Sequence, residues 1–145
     1  MIKASIVGGS GYAGGEVLRL LLDHPQVDVA AATSESHLGE YVYQQHPNLR
    51  KRTQLKFSSR TTLTACDVLF LALPHGEAQK EIDHYAGLAP KIVDLSADFR
   101  LSPEAVYGLT EFTRPRIAGA DLVANPGCYP TAALLALIPL AQRGL

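Results

Sequence analysis

Three observations predict an α/β fold for this 145-residue chain: a Rossmann-type doubly wound, mostly parallel sheet with helices on both faces. Strand-like and helix-like segments alternate along its length. A glycine-rich turn follows the first strand and opens a helix. The stretch from Asp67 to Leu73 is almost continuously apolar, as a central parallel strand covered on both sides must be.

Each element has its own local signal. Ile2 to Val7 is the first strand, and Gly8 to Gly15 is the glycine turn. Glu16 to Asp23 reads as a helix with Val17, Leu18, Leu21 and Leu22 on its apolar side, ended by His24-Pro25. Val27 to Thr33 is the second strand. Ser34 to Ser59 is polar and weakly periodic, an elaborated loop containing a short strand from Gln54 to Phe57. After the Asp67–Leu73 strand come a short helix over Gly76 to Tyr85 and a strand over Lys91 to Leu95. Ser102 to Arg116 reads as irregular. Leu122 to Ala124 is a last short strand, and Ala132 to Leu140 reads as a buried helix. No internal repeat or low-complexity tract interrupts this order.

Composition narrows the function classes. The length suits one domain with a real core. Hydrophobic residues make up 47% and charged residues 19%, with a net charge of −1. That balance argues against disorder, a nucleic-acid partner and a membrane surface. The longest apolar run is too short for a membrane span and contains Pro139. The N-terminus enters a strand directly, so no signal or transit peptide is expected. The two cysteines, Cys66 and Cys128, show no CxxC spacing and no nearby histidine cluster, so neither a disulfide framework nor a metal site is expected. A reducing cytoplasm is the expected compartment, and it would keep a thiol free.

The glycine turn carries the first chemistry. Gly9-Ser10-Gly11-Tyr12-Ala13-Gly14 has G-x-G-x-x-G spacing, with Gly8 adding a second register of Gly8, Gly11 and Gly14. Glycines there let the backbone approach a pyrophosphate, and helix N–H groups point at the anion. The second strand should end beside an adenosine ribose. An acidic residue at that point favours NAD, whereas hydroxyls or a cation favour NADP. Here Thr33-Ser34-Glu35-Ser36 points both ways: Ser34 and Ser36 suit a 2′-phosphate and Glu35 opposes one. Arg50-Lys51-Arg52 offers either a cation from the neighbouring loop or merely a solvated turn.

Ligands of open α/β sheets collect at the carboxyl ends of the strands, and three such ends carry unusual residues. Pro74 and His75 follow one, and His75 is read as a cofactor-side contact rather than a general base. Ser96-Ala97-Asp98-Phe99-Arg100 follows the next. There Arg100 either grips a phosphate or carboxylate with its planar fork or pairs with Asp98 or Glu111. Asn125-Pro126-Gly127-Cys128-Tyr129-Pro130-Thr131 follows the last. A helix behind it, with Pro130 in its first turn, aims free N–H groups and a positive dipole end at Cys128, favouring a thiolate nucleophile. The alternative is a buried structural cysteine. Cys66, before a buried strand, is read as structural. His24, His46 and His84 receive no role.

These segments together resemble N-acetyl-γ-glutamyl-phosphate reductases, relatives of the semialdehyde dehydrogenases. The similarity runs in order through Gly8-Gly9-Ser10-Gly11-Tyr12-Ala13-Gly14-Gly15-Glu16, His46-Pro47-Asn48-Leu49, Phe70 to Gly76, Val93 to Arg100, Tyr107-Gly108-Leu109-Thr110-Glu111 and Pro126 to Thr131. The resemblance implies NADPH-dependent reduction of an acyl phosphate to an aldehyde in arginine biosynthesis. Cys128 matches the nucleophile, whose attack expels phosphate and leaves a thioester. Gly8, Gly9, Ser10, Gly11, Tyr12, Ala13, Gly14, Ser34, Ser36, Pro74 and His75 are the expected NADP(H) contacts. Strand-end geometry and that kinship put Arg100 and Asn125 beside the substrate phosphate.

Part of the similarity extends to reductases of carrier-bound aminoadipyl or glutamyl phosphate, where a basic Arg50-Lys51-Arg52 would suit an acidic carrier. A non-catalytic NADP(H) sensor is the reading from a different class. Family members are usually more than twice as long as this chain, with an acid/base histidine and most substrate contacts in a second domain. The chain therefore corresponds to their cofactor half, expected to bind cofactor but to turn over poorly alone. For the full-length protein the resemblance implies a homo-oligomer. The segment from Arg100 to Val106 is shorter than is usual in the family, and Glu35 stands where many relatives carry a basic residue.

Overall fold

The computed structural model describes all 145 residues. Seven strands form one sheet: β1 (Ile2–Val7), β2 (Val27–Thr33), β3 (Phe57–Ser58), β4 (Val68–Leu71), β5 (Lys91–Asp94), β6 (Val106–Tyr107) and β7 (Leu122–Ala124). Their order across the sheet is β3-β2-β1-β4-β5-β7-β6, and every pair is parallel. Chain order reverses between β1 and β4. At such a switch point, neighbouring loops diverge to opposite faces and leave a crevice.

The strand side chains explain why both faces need cover. On β1, Ile6 belongs to one apolar cluster and its neighbour Val7 to the other. On β4, Leu69 and Leu71 join Val7, while Phe70 packs against the Ile6 cluster. Alternate side chains point to opposite faces of a strand, so a run apolar at every position requires two layers. One layer is α1 (Tyr12–Leu22), with Leu18 fully buried, together with the short α2 (Val42–Gln45) and Leu49 from the long loop. The other contains α3 (Ile82–Ala86) with buried Tyr85, plus Ala78 and Phe99.

Besides the two-residue β6, which falls in the stretch expected to be irregular, three elements depart from the sequence expectation. Helix α1 begins at Tyr12 rather than Glu16, because Gly14 and Gly15 are helical and buried. A Cβ at Gly14 would overlap the carbonyl oxygen of Gly8, so the glycine serves helix–strand contact rather than a turn. Second, α4 (Thr110–Gly119) lies within the stretch expected to be irregular. It buries no residue, and Pro115 lacks the N–H that would reach Glu111, so neither apolar period nor composition announces a helix. Third, α5 (Cys128–Ala141) is helical as expected but not buried. Leu135, Leu137 and Leu140 are 38–58% exposed, since no other element of this chain covers them. No helix is long and apolar enough to cross a membrane.

Leu18 anchors α1 to Ile6, Ala32 and Phe57 on the sheet. Leu18→Ala is expected to lower unfolding free energy by about 2–5 kcal/mol through lost burial and a residual cavity. A urea titration checks this, and a loss under about 1 kcal/mol would mean that the site collapses around the smaller side chain.

Candidate active site

Backbone crowding builds the glycine turn. Gly8 takes φ +81°, a left-handed conformation that side chains disfavour, with its α-carbon facing the Ala72 carbonyl at the end of β4. The Gly9 N–H donates to the Thr33 carbonyl at 2.8 Å, and Ser10 and Ser34 hydroxyls lie 2.8 Å apart. The end of β2 is thereby tied to the turn. Gly11 caps α1 without any side-chain hydrogen bond, leaving first-turn N–H groups such as those of Tyr12 and Ala13 open at the positive end of the helix.

A cleft of about 460 Å³ opens at this point. Of the expected cofactor contacts, Gly8, Ser10, Gly11, Tyr12, Ala13, Gly14, Ser34, Ser36 and Pro74 line it. Gly9 and His75 do not. Gly9 is buried beneath the turn against Ala32 and Phe57, where an added Cβ would come within 3.1 and 3.3 Å of their side chains. The exposed His75 turns its ring toward the next loop, where Nδ1 accepts the Ala97 N–H at 2.9 Å. The cleft fits an extended anionic dinucleotide, with a side-chain-free cradle under the helix end and hydroxyls at the far side.

Sequence reading missed two contributors. Arg60 lines the cleft beside Glu35, reached through the turn after β3, whereas Arg50-Lys51-Arg52 does not line it and Arg52 pairs with Asp23. His46 was given no role, yet its ring packs over Gly15 and its Nε2 lies 2.8 Å from the Gly9 carbonyl. It braces the glycine turn from outside. His46 arrives through the long loop after β2 and Arg60 through the turn after β3, neither of which carries local periodicity. The only advance signal was the place of His46 within a family-like segment.

The other strand ends are joined by hydrogen bonds. Asp94, fully buried at the end of β5, accepts from the Ser96 hydroxyl at 2.7 Å and the Ser96 N–H at 3.1 Å. Burial raises its pKa against these bonds. Asp98 accepts the N–H groups of Gly76 at 2.6 Å and Gln79 at 3.1 Å, fastening the β4 loop to the β5 loop. Burial opposes ionisation of Asp98, but those N–H groups, the Ser96 hydroxyl and His75 hold its pKa below the ordinary value.

Arg100 fastens the β5 loop to the cysteine turn. Its Nε donates to the Asn125 carbonyl at 3.0 Å and its Nη2 to the Leu95 carbonyl at 3.2 Å. Its Nη1 would lie 2.9 Å from a Cβ on residue 127, so a side chain there would crowd the guanidinium. Arg100 makes neither of the expected ion pairs with Asp98 or Glu111. The exposed Asn125 side chain donates to the Pro126 carbonyl at 3.1 Å. Cys128 is the first residue of α5 and exposed, and Gly127 caps that helix with no competing side chain. Cys66 is buried, with its thiol directed at the Val68 carbonyl. No group of three or more His, Cys, Asp or Glu is placed to hold a metal ion.

The family model of the semialdehyde dehydrogenase NAD-binding domain matches residues 3–120. The chain belongs to that family. It is 46% identical to a LysW-L-2-aminoadipate 6-phosphate reductase of Thermomicrobium roseum, with 100% of the chain and 47% of the relative covered. An N-acetyl-gamma-glutamyl-phosphate reductase of Marinobacter nauticus is 43% identical over 100% of the chain and 48% of its own length. A LysW-L-2-aminoadipate/LysW-L-glutamate phosphate reductase of Pyrococcus horikoshii is 49% identical over 96% of the chain and 46% of its own length. The chain thus spans about half the length of the curated relatives it matches. In fold it is similar to aspartate semialdehyde dehydrogenase II of Vibrio cholerae, with a TM-score of 0.81, 18% identity and coverage of 98% of this chain and 47% of that one. A nicotinamide cofactor accords with the family domain and with the glycine-turn cleft.

Held below its unfolded value, the Asp98 pKa makes the carboxylate stabilising above that value, and the contribution is lost as pH falls through the folded value. Asp98→Asn should therefore be destabilised at pH 7 and converge on wild type in acid. Urea midpoints across that range test this, and a pH-independent loss would assign the effect to packing instead.

Proposed function

We propose that this chain is the cofactor-binding and nucleophile-bearing part of an NADPH-dependent acyl-phosphate reductase whose substrate is N-acetyl-γ-glutamyl phosphate. The observation that carries the reading is Cys128, exposed at the open N-terminus of α5 on the same sheet edge as the glycine-turn cleft. Similarity to N-acetyl-gamma-glutamyl-phosphate reductases supports it.

In this reading Cys128 Sγ attacks the acyl carbon, the C–O bond to phosphate breaks, and a thioester remains on the cysteine. Open N–H groups at the start of α5 stabilise the attacking thiolate. Arg100 Nη1, not used in either carbonyl bond, and Asn125 meet the leaving phosphate. Glycines 8, 11 and 14 and the Ser34–Ser36 segment hold the dinucleotide. A nicotinamide cofactor held in the glycine-turn cleft would supply the hydride that reduces this thioester. Cys128 is finally expelled as thiolate when the aldehyde, N-acetylglutamate semialdehyde, forms.

A second reading has the same chemistry on a glutamyl or aminoadipyl phosphate borne by an acidic carrier protein. Its support is the 46–49% identity to LysW-dependent relatives and the exposed Arg50 and Lys51.

Mass spectrometry of the chain treated with N-acetyl-γ-glutamyl phosphate separates these readings. Acylation at Cys128, removable by hydroxylamine and absent in Cys128→Ser, is expected for the first. Acylation only from the carrier-bound substrate would favour the second. A folded chain acylated by neither would contradict both.

A further inference from the structure

Arg60 reaches the cofactor cleft from the turn after β3, not from the glycine turn or the end of β2. Its setting resolves the conflict between Glu35 and a 2′-phosphate. The Glu35 carboxylate is engaged by the residues just before and at Arg60. Its Oε1 accepts the Arg60 N–H at 2.8 Å and the Ser59 hydroxyl at 3.1 Å, and Oε2 lies 3.2 Å from that hydroxyl. Glu35 is thereby a tether that holds the 59–62 turn against the end of β2.

The Arg60 guanidinium lies beside the Tyr85 hydroxyl, which with two nearby carboxylates raises its pKa, and neither carboxylate is within hydrogen-bond distance of it. Nε lies 3.9 Å from Glu35 Oε1, and Nη1 lies 3.8 Å from Glu81 Oε2. Both separations exceed hydrogen-bond length, so the planar fork keeps donors for an incoming anion. Glu81 is itself occupied by the Tyr85 hydroxyl at 2.7 Å. Tyr85 is fully buried and gives the cluster a rigid floor. Ser34 and Ser36 line the same part of the cleft.

We propose that Arg60 sets the preference for a 2′-phosphorylated dinucleotide, its guanidinium gripping the adenosine 2′-phosphate while Glu35 positions the turn that carries it. The proposal rests on the cofactor reading above. It assigns Glu35 away from the ribose hydroxyls, where an acidic residue would select NAD.

Titrating wild type, Arg60→Gln and Arg60→Lys with NADPH and with NADH tests it by nicotinamide fluorescence, with circular dichroism to establish folding. Wild type should bind NADPH more tightly. In Arg60→Gln, NADPH affinity should fall about 10–100-fold while NADH affinity stays within about twofold. Arg60→Lys keeps the charge but loses the fork, so it should lie between the two. A wild type that favours NADPH, with a folded Arg60→Gln that weakens both cofactors equally or leaves their ratio unchanged, would overturn the role of Arg60 and leave the cofactor reading standing. Should Arg60→Gln fail to fold, an unchanged ratio in Arg60→Lys would overturn it equally. A wild type with no NADPH preference would overturn the NADPH reading itself, and this proposal with it.

Discussion

Helix α1 presses its first turn onto the end of β1 with no side chain between them. Gly14 stands over the carbonyl of Gly8 and the α-carbon of Gly9, while Gly8 in turn abuts the carbonyl of Ala72 at the end of β4. An added methyl on Gly14 would push the helix away from the end of β1, and one on Gly8 would push the turn away from the end of β4. This contact sets the height of the helix N-terminus above the switch point between β1 and β4. It thus sets where the open N–H groups of Tyr12 and Ala13 can meet an anion. His46 secures the arrangement from the other side, through the Gly9 carbonyl and the bare face of Gly15.

The remaining strand ends are joined so that the pieces of the site hold their places together. Asp98 fastens the β4 loop to the β5 loop, and Arg100 fastens the β5 loop to the cysteine turn. Asp94 is buried beneath both, bonded to Ser96. Long-range order of this kind would serve the covalent step proposed at Cys128, where a small misplacement of the thiol is expensive in rate. The apolar surface of α5 is a different matter. Its exposed leucines lie directly behind Cys128, so the helix that presents the thiol is the element this chain covers least.

The sheet was legible where local physics decides the outcome. Five strands announced themselves as apolar runs, and the turns after β1 and β7 through glycine, proline and cysteine in a strand-to-helix context. The remainder depended on tertiary placement. Gly14 and Gly15 look like turn residues until the strand beneath them is known. Pro115 hides α4, and the apolarity of α5 reports a preference for burial that its own chain does not satisfy. Arg60 reaches the cleft from the turn after β3, and His46 reaches the outer side of the glycine turn because the loop after β2 folds back on itself. The nearby basic run Arg50-Lys51-Arg52, more conspicuous in sequence, points elsewhere. Two bonds also changed the meaning of Arg100: a residue expected to grip an anion spends Nε and Nη2 on backbone carbonyls and keeps Nη1 beside Gly127.

In the function proposed above, one continuous edge of the sheet, from Ser34 past the glycine turn to Cys128, forms a single cofactor and nucleophile site. Backbone amide chemical shifts recorded with and without NADPH test this most directly. Shifts are expected at Gly11, Tyr12 and Ala13, extending to Ser34 and Arg60 on one side and to Cys128 on the other. Shifts that leave the glycine turn unchanged, or that gather on a different edge of the sheet, would contradict it.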